Sequence, residues 1–98
     1  MNEKKNQTKT VKNVFNDLIK IYGVSHQFDE LKIKEIWRKN MGEAIDNKTK
    51  KIKLFNGILS IYLDSGVLKQ EFSFAKEKIK KMINEEMGKP VVTKVEIY

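Results

Sequence analysis

The densest run of like-charged side chains is Lys48, Lys50, Lys51 and Lys53, four ammonium groups within six positions. Lysines at that spacing suit one kind of chemistry, the neutralisation of successive phosphates on a polyanion, which reads no base sequence. Lys34 and Arg38 lie upstream in the same basic region, and with the four lysines they form the candidate nucleic-acid-binding set. Residues 32–53 carry eight cations against three anions, a net +5, whereas residues 54–98 net only +1. Most of the chain's +7 is therefore regional. The competing reading of the lysine run is a solvated face, or charge that discourages edge-to-edge strand pairing.

Other chemistries are poorly served. There is no cysteine and a single histidine, His26, which excludes thiol nucleophiles, disulfide frameworks, His-paired nucleophiles and multi-His metal sites. The thirteen carboxylates read as caps, helix-surface partners or strand-edge charges, and none forms a pair suited to acid–base work. No catalytic residue, metal ligand, cofactor or small-molecule substrate is expected. No apolar run approaches the length of a membrane span, and the polar start Met1-Asn2-Glu3-Lys4-Lys5 lacks the apolar core of a secretory signal. The expectation is a cytoplasmic protein without membrane contact.

At 98 residues, 40% of them hydrophobic and 34% charged, the chain has room for one small core. Residues 1–9 read as a disordered basic tail and 10–98 as a single domain. Thr10 is a candidate cap for a helix whose apolar face is Val11, Val14, Phe15, Leu18, Ile19 and Tyr22, ending at Gly23. Phe28, Leu31, Ile33, Ile36, Trp37 and Met41 supply a second helix, with Ser25 or Asp29 as candidate caps. Ala44 and Ile45 suggest a short turn of helix after Gly42. The period then changes from 3.6 to 2. Lys51-Ile52-Lys53-Leu54-Phe55 and Ile58-Leu59-Ser60-Ile61-Tyr62-Leu63 alternate around Asn56-Gly57, a strong hairpin signal because both turn residues must accept positive φ. Ile52, Leu54, Leu59, Ile61 and Leu63 are expected to face the core. One long helix is predicted from Val67 to Met87, closed by Gly88, and a terminal strand from Pro90 to Tyr98. The order α–α–(short α)–β–β–α–β predicts an α+β, two-layer fold with helices covering a three-stranded sheet, the last strand pairing parallel to a hairpin strand.

Several of these stretches together resemble one bacterial family. They are Trp37 with Met41-Gly42 and Ala44-Ile45, the hairpin Leu54-Phe55-Asn56-Gly57-Ile58-Leu59-Ser60-Ile61, Ser65-Gly66-Val67 opening a helix, and the closing Val92-Thr93-Lys94-Val95-Glu96-Ile97. The pattern is similar to the DciA family over roughly residues 10–98. The resemblance implies a domain with a K-homology-like (KH-like) fold that associates with the replicative DNA helicase, helps place it on DNA, binds DNA and has no catalytic residues. Two departures stand out. The chain stops at Tyr98, without the long extension of larger members, which implies a short form. It also lacks a Gly-x-x-Gly loop, so the phosphate clamp of true KH domains is not expected.

Four aromatic side chains have two readings. Trp37 is either a stacking or partner-anchoring residue or part of the core with Ile33, Ile36 and Met41, and the core reading is favoured. Phe55, Tyr62 and Tyr98, interleaved with lysines on an open sheet face, offer stacking on single-stranded bases; the commoner arrangement is two tyrosines covering a sheet edge through cross-strand packing. The resulting expectation is a non-enzymatic replication accessory protein. A surface of unassigned residues engages the helicase while cations from 32–53 hold DNA without reading its sequence. The alternatives are a protein-interaction module without nucleic-acid binding and a KH-like RNA-binding domain.

Overall fold

The computed structural model describes residues 27–98. The helix expected over 10–23, the tail 1–9 and His26 lie outside the described residues. Helix α1 spans 27–41, and Gly42, at φ +89°, separates it from the short α2, Glu43–Asn47. Strand β1 (Thr49–Phe55) turns through Asn56-Gly57 into β2 (Ile58–Leu63). Helices α3 (Gly66–Ser73) and α4 (Lys76–Met87) follow, and β3 (Lys94–Ile97) closes the chain. The sheet order is β1-β2-β3, with β2 antiparallel to β1 and parallel to β3. The expected α+β architecture with a mixed three-stranded sheet is therefore the one observed.

The hairpin forms as its sequence dictates. Asn56 and Gly57 both take positive φ, 51° and 80°, which matches the twist of the flanking strands. Ile52 pairs with Ile61 and Leu54 with Leu59, and all four are buried with Leu63 on one face. Against them pack Ile33, Ile36 and Trp37 of α1, Ile79, Ile83 and Met87 of α4, and Val92 and Val95. Alternation on the strands thus meets four-residue steps on the helices, and one core results.

Four local expectations need correction. Phe28 and Leu31 are largely exposed, at 63% and 56%, instead of joining the inward stripe of α1. At roughly 100° per residue both fall on the side of the helix away from Ile33. Asp29, expected as a cap, lies inside α1, where its carboxylate pairs with Lys89 at 3.3 Å. Glu30 accepts the Leu54 N–H at 2.9 Å.

The long helix over 67–87 is two helices, broken at Phe74-Ala75. The Ser73 hydroxyl donates to the Lys69 carbonyl at 2.6 Å, a back-bond that bends a helix, and Phe74 and Ala75 donate to carbonyls only three residues back. The terminal strand begins at Lys94, not in the preceding Pro90–Thr93 stretch. Both backbone groups of Val92 are taken at 2.9 Å by the Asn84 side-chain amide, which turns Val92 into the core before pairing starts.

The hairpin turn also receives the chain entering β3. The Gly57 carbonyl accepts from Thr93 N at 2.8 Å and from the Thr93 hydroxyl at 3.1 Å. A Cβ on Gly57 would meet Thr93 Oγ1 at 2.7 Å, on a backbone already at φ +80°. Gly57→Ala is expected to lower stability by about 1–3 kcal/mol in urea denaturation. Gly66→Ala, with nothing within 4 Å of the new methyl, is expected to be neutral or slightly stabilising.

Candidate nucleic-acid interface

Among the described residues β1 is an edge strand, and one side of its backbone meets no other strand. The Leu54 N–H points that way and is capped by Glu30. Ile52, two residues back, turns its backbone the same way by the alternation of an antiparallel ladder. A groove of about 440 Å³ runs along this edge, lined by Lys34, Glu35 and Arg38 of α1, Asp46 of α2 and Thr49–Lys53 of β1. The register shifts between Thr49 and Lys51, so Lys50 is an extra residue at a bulge. Bulges of this kind bend a strand and re-aim side chains.

Five of the six candidate cations, Lys34, Arg38, Lys50, Lys51 and Lys53, line this one groove. Lys48 does not. It caps the C-terminus of α2, and its carbonyl accepts from Asp64 N at 2.7 Å. Glu35 and Asp46 join the groove unexpectedly and reduce its charge to a net +3. Glu35 was findable in the sequence, since it lies three residues before Arg38 on the same helix. Asp46 gave no such signal, because its place depends on how α2 folds against β1. Lys34 is in loose contact with Glu30 at 3.8 Å, and Lys51 Nζ lies 4.5 Å from the centroid of the Tyr62 ring.

Thr49 holds the walls of the groove together. Its hydroxyl accepts from the Trp37 indole N–H at 3.0 Å and donates to the Ile45 carbonyl at 2.9 Å, tying α1, α2 and β1 at one oxygen. Trp37 is fully buried, with Phe72 of α3 edge-on at 5.3 Å between ring centroids. The core reading of this residue is the one observed.

The face of the sheet opposite the helices carries a second group of polar and aromatic residues. Tyr62 and Tyr98 stack at 4.9 Å with an interplanar angle of 18°. On β3, Lys94 and Glu96 form an ion pair at 2.8 Å. The hydrogen bond from Lys94 holds the Glu96 carboxyl below the ordinary glutamate value, and the same bond to Glu96 holds the Lys94 ammonium above the ordinary lysine value. The Glu96 contribution to stability is present above the ordinary glutamate range and lost as pH falls through its lowered value. The Lys94 contribution is complete below the ordinary lysine value and lost as pH rises through its raised one.

The family model described as Dna[CI] antecedent, DciA, matches residues 10–97 of the chain. The chain belongs to the DciA family. No curated protein and no solved structure matches it. Membership gives this DciA-family protein a role related to helicase loading in DNA replication, within a family of loading accessory proteins. Among the described residues, no helix is long and apolar enough to cross a membrane.

Two measurements test this geometry. Thr49→Val leaves the buried indole N–H of Trp37 without an acceptor, and a loss of about 1–3 kcal/mol is expected in urea denaturation followed by Trp37 fluorescence, with Thr49→Ser losing less. In carboxyl NMR titrations, Lys94→Ala is expected to move the Glu96 midpoint upward towards the ordinary glutamate value.

Proposed function

We propose that this DciA-family domain holds DNA in the groove between α1 and β1 while another of its surfaces engages the replicative helicase, so that helicase and DNA are kept together during loading. The observation that carries the reading is the convergence of Lys34, Arg38, Lys50, Lys51 and Lys53 on one groove beside an open strand edge. Ammonium and guanidinium groups there meet phosphates, and the outward N–H of Ile52 adds a neutral donor on the groove floor. Nothing in this arrangement reads base edges, so binding is independent of sequence. Glu35 and Asp46 oppose the cations and keep affinity moderate, which suits a protein that hands DNA on.

A second reading, a protein-interaction module, is favoured by one observation. Met41, Phe72, Ala75 and Met82 line an apolar groove of about 320 Å³ between α1 and α4. Phe74, between two of these residues in sequence, is 85% exposed. The groove and the exposed Phe74 ring each have the chemistry of a protein contact, and both are compatible with DNA binding at β1.

Fluorescence anisotropy with labelled DNA across a salt series tests the first reading. Three to five phosphate contacts correspond to a log–log salt slope of roughly −2 to −3.5 on a single strand. Combining Lys50→Glu, Lys51→Glu and Lys53→Glu is expected to flatten that slope by about 2 and to weaken binding at low salt at least about tenfold. Capture of the purified, nuclease-treated helicase is expected to survive these changes and to fail with Phe74→Asp. Affinity that ignores salt, or no affinity at low salt, overturns the DNA half.

A further inference from the structure

Among the described residues, all helices lie on one face of the sheet, and the other face is open. Its composition follows from the strand register. Lys51 lies beside Tyr62, Lys53 beside Ser60, and Phe55 beside Ile58; Ile58 in turn pairs with Lys94 and Ser60 with Glu96. Tyr98 continues β3, its N–H donating to the Ile61 carbonyl at 2.8 Å, and its ring lies against Tyr62. Phe55 is 69% exposed and Tyr98 51%, so neither ring is committed to the core.

We propose that this open sheet face is a base-stacking platform for single-stranded DNA, with Phe55 and Tyr98 as the stacking rings and Lys51 and Lys53 as the adjoining phosphate contacts. The proposal rests on the DNA-binding reading above and extends it from phosphates to bases. Lys51 Nζ over the Tyr62 ring, and Tyr62 parallel to Tyr98, form a row of three groups across the sheet. That row fixes the plane of the Tyr98 ring while leaving it half exposed, so an incoming base continues a stack already begun. Phe55 stands at the opposite corner of the face, two strands across and two rows along, roughly 15 Å away. At that separation the two rings take different bases of one strand.

The charge of the face suits this occupant. Lys51, Lys53 and Lys94 outnumber Glu96, the one carboxylate on it, and Lys51 and Lys53 also line the edge groove. A strand whose phosphates lie in the groove therefore has a continuous path onto the rings. A duplex keeps its bases stacked inside and offers them no partner, so the face selects single strands. DNA is the strand encountered in replication, the process to which the family belongs.

Four 12-unit probes test the proposal: oligo-dT, an oligomer of abasic sites with the same charge, a DNA duplex, and oligo-U. The wild-type protein is expected to bind oligo-dT at least about tenfold more tightly than the abasic oligomer, the effect of stacking one or more bases. Combining Phe55→Ala with Tyr98→Ala is expected to abolish that preference while leaving the salt slope and the duplex affinity unchanged. Buried Trp37 fluorescence reports that the variant is folded. Combining Phe55→Tyr with Tyr98→Phe keeps both rings and is expected to keep the preference. Equal wild-type affinity for oligo-dT and the abasic oligomer, with a normal salt slope, overturns the platform and leaves the groove reading standing. Absence of salt-dependent binding to every probe overturns both. A tenfold preference for oligo-U over oligo-dT overturns the assignment of DNA.

Discussion

The arrangement depends on one buried indole. Trp37 is the chain's only tryptophan and is fully enclosed, so its N–H must find an acceptor inside the protein. The acceptor is the Thr49 hydroxyl, whose own proton goes to Ile45. That chain of two bonds leaves α1, α2 and the start of β1 little freedom to slide. The width of the groove at the β1 edge follows from it, since Lys34 and Arg38 stand on one side of the relay and Lys50, Lys51 and Lys53 on the other. On the far side of the ring, Phe72 seats α3 edge-on, so the same residue also sets where the broken helix pair approaches the sheet.

A second constraint is geometric. Lys51 and Lys53 belong to an edge strand of a sheet that, among the described residues, is covered on one side only, so they border both the groove and the open face. The bulge at Lys50 bends β1 at this border. Lysine on an edge strand is also a familiar defence against unwanted strand pairing, and here that defence and a phosphate-binding role use the same side chains. The ion pairs Lys39–Glu86 and Lys89–Asp29 neutralise cations elsewhere, joining α1 to α4 and to the segment after it.

Much of the fold was legible in the sequence because the signals were local. Asn56-Gly57 between alternating runs dictates a hairpin wherever it occurs, and its register fixes which of Ile52, Leu54, Leu59, Ile61 and Leu63 turn inward. What was not legible depends on side-chain hydrogen bonds that leave no mark on the hydrophobic period. The apolar positions Leu68, Phe72, Ala75, Ile79 and Ile83 run through the break at Phe74-Ala75 without a change of period, so no pattern marks it. The bend comes from one serine bonding backwards. The start of β3 is set by Asn84, eight residues before Val92 and on another element. Phe28 and Leu31 were misplaced for a simpler reason. They are three residues apart, but Leu31 is only two from Ile33, a step of roughly 200° that carries both to the far side of α1. Of the site, the cations were visible as a charge excess. Of the carboxylates among them, Glu35 was within reach through its helical spacing to Arg38, whereas Asp46 was not, because charge counted along a chain does not show which side chains converge.

The central position of β2 has a consequence for how the molecule assembles. Its antiparallel partner is joined through two residues, whereas its parallel partner arrives only after all of α3 and α4. Closing the short loop is fast, and the long-range parallel pairing carries a much larger entropic cost before any contact rewards it. Loop-closure cost therefore favours the hairpin over the long-range pairing. Tyr98 can reach Tyr62 only once β3 lies beside β2, so the aromatic row across the sheet reports that the long-range pairing is complete, whereas the lysines of β1 need the hairpin alone.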